Sequence, residues 1–367
     1  MKSKEDKNYK DNINNKTNKT ARKNKKRKFT GPLIILLIFL LLFGGAWAVF
    51  SNYYNLSNYL RDKDVEITKT FDLEDAGLTD KEKEEILIAA QEADGIEIQK
   101  NSDVYNLLLI GVDRRNKSWN GNSDTMILMS INYKTKKMHM ISFMRDMYAN
   151  IEGYGVCKLN AACAVGGGPF LIKTIEENYK VHIDNYASVD FPGLAKIIDY
   201  AGGIELTLSD AEVKSANGMI QMMCEAENED ASPHLLSGAG TYNCDGWQAV
   251  AYARIRSVGN SDWQRTERQR TVMSQLMGKV KKMSFTDLNS YVRKVLPLVT
   301  HNVESTEMLK LVTKVPIVLT GYEMGKSRVP YDGMYSIKNE ILFPNMKETI
   351  LRLQATIDAE ELAEWEQ

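Results

Sequence analysis

Apolar and polar positions divide the chain into stretches of distinct character. Over 31–50 no residue carries a charge, and the run PLIILLIFLLLFGGAWAVF approaches the roughly 20 apolar residues with which a helix crosses a bilayer. One transmembrane helix over 31–50 is the expectation. Residues 51–100 are polar and charge-dense; their one helical pattern, over 79–93, opens with Thr79 and Glu82 at capping-box spacing, and the stretch reads as a spacer. At Val104 the character changes. VYNLLLIGV is a short apolar run ended by Gly111 and a charged turn, as expected of a strand buried on both faces. A folded domain over 104–358 begins there.

TMILMSINY and KMHMISFM, separated by the turn-like KTK, read as a hairpin. PFLIKTIEENY, after Gly166-Gly167-Gly168, reads as a helix entered through Pro169. NYASVDF as a strand, FPGLAKIIDYAGG as a helix with a glycine stop and GIELTLS as a strand continue the alternation. Over 262–283, apolar residues at Val272, Met273, Leu276, Met277 and Val280 mark a helix face. Because a hairpin is mixed with crossover units, the expected fold class is α/β: a mixed central sheet flanked by helices on both faces, preceded by the transmembrane helix. Beyond Leu296, VPIVLTGYEM looks strand-like and PNMKETILRLQATI helical, completing the domain up to the acidic tail near Ala359.

Charge adds orientation. A formal net charge of −1 hides twelve Lys/Arg against three Asp/Glu in residues 1–28, leaving 35 against 45 beyond them. A basic block directly before the apolar run puts the N-terminus in the cytoplasm and everything after about Ser51 outside, a single-pass type II arrangement. The competing reading is a cleaved signal peptide with Ala46-Trp47-Ala48 as its site, but signal h-regions are shorter and their n-regions rarely this long. Residues 1–28 form a basic cytoplasmic tail suited to anionic headgroups, and are too short to fold as a nucleic-acid module. Cys157, Cys163, Cys224 and Cys244 form no C-x-x-C pair and have no neighbouring His at zinc-ligand spacing. An oxidising exterior permits disulfides without requiring them, and Cys244 reads as a small hydrophobe.

Three constellations carry candidate chemistry. GVDRR followed by GNSDT places Asp113, Arg115 and Asp124 in the loop after the first core strand and at the start of the second. Magnesium-like cations take one or two carboxylates plus phosphate oxygens and water, a role open to Asp113 and Asp124, although acidic surface loops are common. FMRDMY puts Arg145 and Asp146 at the end of the hairpin, either at a shared site edge or as an ordinary surface pair, and GYGVCKLNAA adds Lys158 and Asn160. YARIR and SDWQRTERQR crowd Arg254, Arg256, Arg265, Arg268, Gln269 and Arg270 together. If YARIR is extended, Arg254 and Arg256 share a face; if Asp262 caps a helix, Arg265, Arg268 and Gln269 share another. Clustered like charges repel, which points to a polyanion between them, and the planar fork of arginine suits phosphate; the alternative is a solvated basic face.

In order, NLLLIGVDRR, GNSDT, SFMRD, GYGVCKLNAA, YARIR and DWQRTERQ resemble the motifs of the LytR-CpsA-Psr family, over about 104–283. The resemblance implies an extracytoplasmic enzyme that transfers a glycan phosphate from a polyprenyl pyrophosphate carrier to peptidoglycan, attaching a secondary wall polymer such as teichoic acid or capsule. It implies Mg2+ (or Mn2+) held by Asp113 and Asp124. The pyrophosphate falls to Arg115, Arg145, Lys158, Arg254, Arg256, Arg265, Arg268 and Gln269; Arg115, Arg145, Arg254 and Arg256 stand at the reaction centre with Asp146 as candidate base. Asn122 stands where many members carry arginine, so that contact is either missing or supplied by Arg114, and Met144 replaces a proline. A pyrophosphatase, a non-catalytic glycolipid-binding protein and an envelope transcriptional attenuator are the competing functions; the same metal and arginines serve either acceptor in the first.

Overall fold

Apolar residues at every second position of a long strand give the domain its axis. The computed structural model describes residues 50–65, 67, 78–114 and 120–359; the basic tail, nearly all of the apolar run 31–50, and Arg115 lie outside them. Among the described residues no helix is long and apolar enough to cross a membrane. The chain divides into units Met1–Asn55 and Leu56–Gln367, and the fold described here is that of the second. Its strands are β1 (Asn58–Tyr59), β2 (Val104–Asp113), β3 (Asn122–Asn132), β4 (Lys137–Phe143), β5 (Tyr148–Ile151), β6 (Gly155–Lys158), β7 (Asn185–Asp190), β8 (Ile204–Leu208), β9 (Gly240–Cys244), β10 (Thr300–His301), β11 (Glu323–Val329), β12 (Tyr335–Lys338) and β13 (Ile341–Pro344). Its helices are α1 (Asp80–Ala90), α2 (Ala161–Tyr179), α3 (Phe191–Tyr200), α4 (Asp210–Glu227), α5 (Gly246–Arg254), α6 (Ser261–Lys281), α7 (Phe285–Val295), α8 (Ser305–Gly321) and α9 (Met346–Asp358).

Seven strands form one mixed sheet in the order β1-β10-β7-β2-β3-β4-β11. The β3–β4 hairpin is antiparallel, whereas β2–β7 and β4–β11 are parallel, reached by crossovers. Period-two alternation sorts β2 onto two faces. Leu108, Ile110 and Val112 are buried against a core that includes Leu171 and Ile175 of α2 and Ile350 and Leu353 of α9. On the other face Ile127, Met129, Met138 and Met140 pack with Val318 of α8, with Met273 and Met277 of α6 alongside. Helices therefore cover both faces, as the mixed α/β pattern requires. A further cluster joins α3, α4 and α5 through Ile198, Ile220 and Val250.

Three expectations change. The stretch 51–100 is not a spacer throughout: Leu78, Ile86 and Ala93 are buried in the main core, and β1 pairs with β10, so the folded unit starts well before Val104. The Thr79–Glu82 capping box is present at the start of α1. The run VPIVLTG is helical, within α8, because burying Val318 under the sheet outweighs the β preference of Val and Ile; the strand follows at β11. The helix read as starting at Pro169 extends back to Ala161 through a break at Gly166 and Gly167. Cys157, Cys163, Cys224 and Cys244 are all buried, and none is joined in a disulfide.

One contact is close enough to test. Gly246, the first residue of α5, lies against the carbonyl of Ala195 in α3, where a Cβ would collide with backbone, and its N–H donates to Asp199 Oδ1 at 2.7 Å. Gly246→Ala is expected to lose about 1–3 kcal/mol of stability through this overpacking, read as a lower denaturant midpoint with an unchanged slope.

Candidate active site

The site grows from the ends of β2, β3 and β4, where backbone irregularity decides which side chains meet. Gly111 pairs with Thr125 but Val112 pairs with Ser123, so Asp124 is the extra residue of a β-bulge. Below the bulge Ile127 and Thr125 face a cavity of about 800 Å3; above it Asp124 and Asn122 do, while Ser123 is fully buried on the other side. Without the bulge, strict alternation would turn Asp124 away from Asp113, which lines the same cavity from β2. Gly121 supports the arrangement: its φ of +78° and its contact with the Asp113 carbonyl both exclude a side chain.

The cavity lies between the sheet and helices α3, α5, α6 and α7. Its body is apolar, walled by residues such as Leu109, Ile127, Val250, Val272, Leu276 and Val299, and one end carries Arg145, Arg254, Arg256, Arg265 and Gln269. Arg254 is not on a strand. It is the last residue of α5, its guanidinium 4.0 Å over the Phe191 ring and 3.9 Å from Asp113 Oδ2, and Arg256 follows the helix end. The extended reading of YARIR is thus corrected: the chain leaves a helix through Ile255, which is fully buried, and this brings both arginines to one cavity. Asp262 is not the cap of α6 either. Asn260 occupies the cap position, and Asp262 lies in the first turn, where the helix dipole favours a carboxylate.

From there Asp262 acts as a hub that the spacing had assigned only to capping. Its Oδ2 lies 3.5 Å from Arg145 Nε, and its Oδ1 lies 3.5 Å from Arg256 Nε and 3.2 Å from Arg265 Nε. The Arg265 contact is not aligned as a hydrogen bond, so Arg265 Nε and Asp262 Oδ1 have no hydrogen-bond partner although Arg265 is only 2% exposed. Burial, then repulsion from Arg145, pushes Arg265 down to about 10, leaving it cationic at neutral pH. Arg145 also donates to Asp124 Oδ1 and to Asp146 Oδ2, each at 3.2 Å. Burial would lower its pKa, but Asp146, Asp124 and Asp262 more than offset that and raise it. Asp146 is raised, first by burial and then by a hydrogen bond shared with Asp262; burial acts the same way on Asp262, yet that bond and Arg265, Arg145 and Arg256 hold it low. The i, i+3 spacing of Asp262 and Arg265 was the available sequence signal for this hub.

Other expected residues separate. Lys158 and Asp146 are both outside the cavity wall: Lys158 bridges Asp146 Oδ1 at 3.4 Å and Glu340 Oε2 at 3.1 Å, and Asp146 is joined to the wall through Arg145. Gln269 lines the cavity and donates to the Asp124 carbonyl at 3.5 Å. Arg268 is turned away from the cavity. It donates to Glu212 Oε1 from Nε at 3.0 Å and from NH2 at 2.9 Å, and to the carbonyls of Ile255 and Val258, so its phosphate role is replaced by a structural one. Arg114 does not line the cavity; its Nε is buried and its charge reaches the Cys163 thiol.

A model of the LytR_cpsA_psr family matches residues 66–357. Biofilm regulatory protein A of Streptococcus mutans is 31% identical over 223 residues, 58% of this chain and 52% of that protein. The polyisoprenyl-teichoic acid–peptidoglycan teichoic acid transferase TagU of Oceanobacillus iheyensis is 34% identical over 241 residues, 64% and 67% respectively. The chain thus matches about half to two thirds of the length of these relatives. A solved structure of YwtF (TagT), a Bacillus subtilis protein, with bound octaprenyl pyrophosphate lipid has a TM-score of 0.50 at 22% identity, covering 72% of this chain and 95% of that one; the likeness is one of fold.

Arg268 and Arg256 separate structural from ligand-facing arginines. Arg268→Ala breaks a buried pair and is expected to cost about 3–5 kcal/mol of stability. Arg256→Ala, whose side chain is 42% exposed, is expected to stay within about 0.5 kcal/mol. Chemical denaturation of both variants without ligand checks the contrast, and equal losses would reject it.

Proposed function

The chain belongs to the LytR_cpsA_psr family, and from that membership we propose that it moves a glycan phosphate from a polyprenyl pyrophosphate carrier onto peptidoglycan, and that it does so outside a membrane to which the apolar run 31–50 would anchor it. The observation that carries this reading is the cavity's division into a cationic end and an apolar body. An amphiphile with a pyrophosphate head and a polyprenyl tail has that same division. The teichoic acid transferase activity of TagU and the lipid bound in TagT support the same substrate class.

Arg145, Arg254, Arg256 and Arg265 bind the pyrophosphate, with Gln269 as a neutral donor beside them. Guanidinium forks match phosphate oxygens, and where burial keeps water away, as at Arg265, the charge is screened little. Asp113 and Asp124 would hold Mg2+ or Mn2+. Both carboxylates line one cavity, and no cluster of three or more His, Cys, Asp or Glu forms among the described residues. That donor set fits an ion that keeps several waters and takes phosphate oxygens, not one in a closed protein cage. When bound, the ion would neutralise charge on the pyrophosphate.

The acceptor-sugar hydroxyl attacks the phosphorus attached to the glycan. A new O–P bond forms as the P–O bond to polyprenyl phosphate breaks, and the hydroxyl proton passes to Asp146. Burial and the hydrogen bond with Asp262 make the Asp146 carboxylate a stronger base than an exposed one. The arginines take up the charge that moves onto the phosphate oxygens, so their work is positioning and electrostatics. The leaving group is a phosphate and needs no proton.

Incubating the full chain with a phosphate-labelled polyprenyl pyrophosphate glycan and peptidoglycan tests the reading. Label is expected in peptidoglycan; label released as soluble glycan phosphate would make the protein a pyrophosphatase, and label left on the lipid would make it a binding protein. Chelation is expected to reduce the rate as Asp113→Ala and Asp124→Ala do; activity indifferent to all three would rule the ion out.

The pH profile tests the base. Since burial and the hydrogen bond with Asp262 raise the pKa of Asp146 above its ordinary value, its ionised form is lost as pH falls through that raised pKa, and activity falls with it. Asp262→Asn removes a negative charge that raises Asp146, so the acid limb is expected to move to lower pH. A limb unmoved in the initial-rate profile of that variant would exclude the Asp146–Asp262 coupling.

A further inference from the structure

Helix α6 runs the length of the cavity and then past it. Arg265 and Gln269 line the charged end and Val272, Met273 and Leu276 the apolar body, about 16 Å along the axis at 1.5 Å per residue. An extended polyprenyl chain of many isoprene units is longer than that. On the lipid-transfer reading proposed above, the surplus tail needs an apolar medium, because CH2 groups left in water are unfavourable.

Beyond Leu276 the helix carries Lys279 and Lys281, followed by Lys282, and α7 begins at Phe285. Phe285 is 88% exposed, more than any other large hydrophobic among the described residues. No packing explains a phenylalanine held out in this way. Lys281 and Lys282 beside it are exposed, and the nearest acid in sequence, Asp287, accepts from Ser284 Oγ at 2.6 Å. An apolar ring projecting between lysines suits the headgroup boundary of an anionic bilayer: the ring enters the acyl region and the ammonium groups meet lipid phosphates. From this corner α7 leads back to Val295, and the chain on to Val299, both of which line the cavity. The apolar wall and the exposed phenylalanine are thus consecutive along the same two helices.

We infer that the corner between α6 and α7, with Phe285 at its tip and Lys281 and Lys282 beside it, docks on an anionic bilayer surface, so that the carrier's tail stays in lipid while its pyrophosphate reaches the arginines. This rests on the lipid-carrier reading, but its own content is the orientation of the domain on the membrane.

The full chain, reconstituted in vesicles of phosphatidylcholine with or without phosphatidylglycerol, tests it by spin-label accessibility. All four native cysteines are buried, so a nitroxide can be directed to Phe285→Cys or to Ile337→Cys. Ile337 is 62% exposed on β12, whose Tyr335 packs 4.8 Å from Trp263 at the start of α6, and so marks the opposite end of that helix. In phosphatidylglycerol vesicles the label at 285 is expected to lose access to an aqueous nickel complex and gain access to oxygen, while the label at 337 stays in water. Lys281→Glu with Lys282→Glu is expected to reverse the shift. A label at 285 as nickel-accessible as the one at 337, in protein that floats with the vesicles, overturns the docking and leaves the membrane anchor intact. Shielding from both probes would mean a second protein copy on this face and also overturns it. A chain that does not float with either vesicle overturns the anchored reading together with the docking.

Discussion

Arg145, Arg256 and Arg265 converge on Asp124 and Asp262, with Arg265 almost fully buried and Arg256 partly open to water, and that arrangement constrains the site around it. Guanidinium groups brought together in a low-dielectric site repel one another, and each buried charge needs a partner. Asp262 touches three of these arginines, and Asp124 two. To supply those partners the fold must end α5 at Arg254, begin α6 just before Asp262, bulge β3 at Asp124 and end β4 just before Arg145. These element ends bring the charged groups within reach of one another.

The same arrangement prepares the site for its proposed substrate. Two carboxylates shared among several cations leave donors under-used, and the Nε of Arg265, buried and without a hydrogen-bond partner, is the plainest case. A pyrophosphate oxygen would give that Nε the acceptor it lacks. Because α6 lines both the charged end and the apolar body, one helix couples recognition of head and tail. A change that tilts it would disturb both at once.

Not every cation near the site belongs to it. Arg268 stands one residue from Gln269 yet faces the other way, where Glu212 and two backbone carbonyls take its donors. Like Arg265 it is almost fully buried, so burial does not separate the two. The identity of the partner does: a structural carboxylate and carbonyls for one, a carboxylate shared with Arg145 and Arg256 for the other.

The sequence by itself determined the α/β class, β2, the β3–β4 hairpin, β7, α3 and β8, and the set of residue types at the site, but not the β5–β6 pair. Period-two and period-3.6 patterns are local, and arginine, aspartate and glycine clusters are visible wherever they fall. Tertiary structure alone decided which of these side chains meet. Asp124 faces Asp113 because of a one-residue bulge, and no local pattern announces a bulge. Arg254 and Arg256 meet the cavity from a helix end, because packing of Ile255 and of the α5 helix on α3 overrides the strand-like alternation of YARIR. VPIVLTG is helical because the sheet offers Val318 a buried place. Residues 78–93 join the core through a few apolar side chains in an otherwise charged stretch, a signal too sparse to stand out. Direction of side chains, register and burial are long-range properties, set by contacts between residues far apart in the chain, and for that reason they waited on the fold.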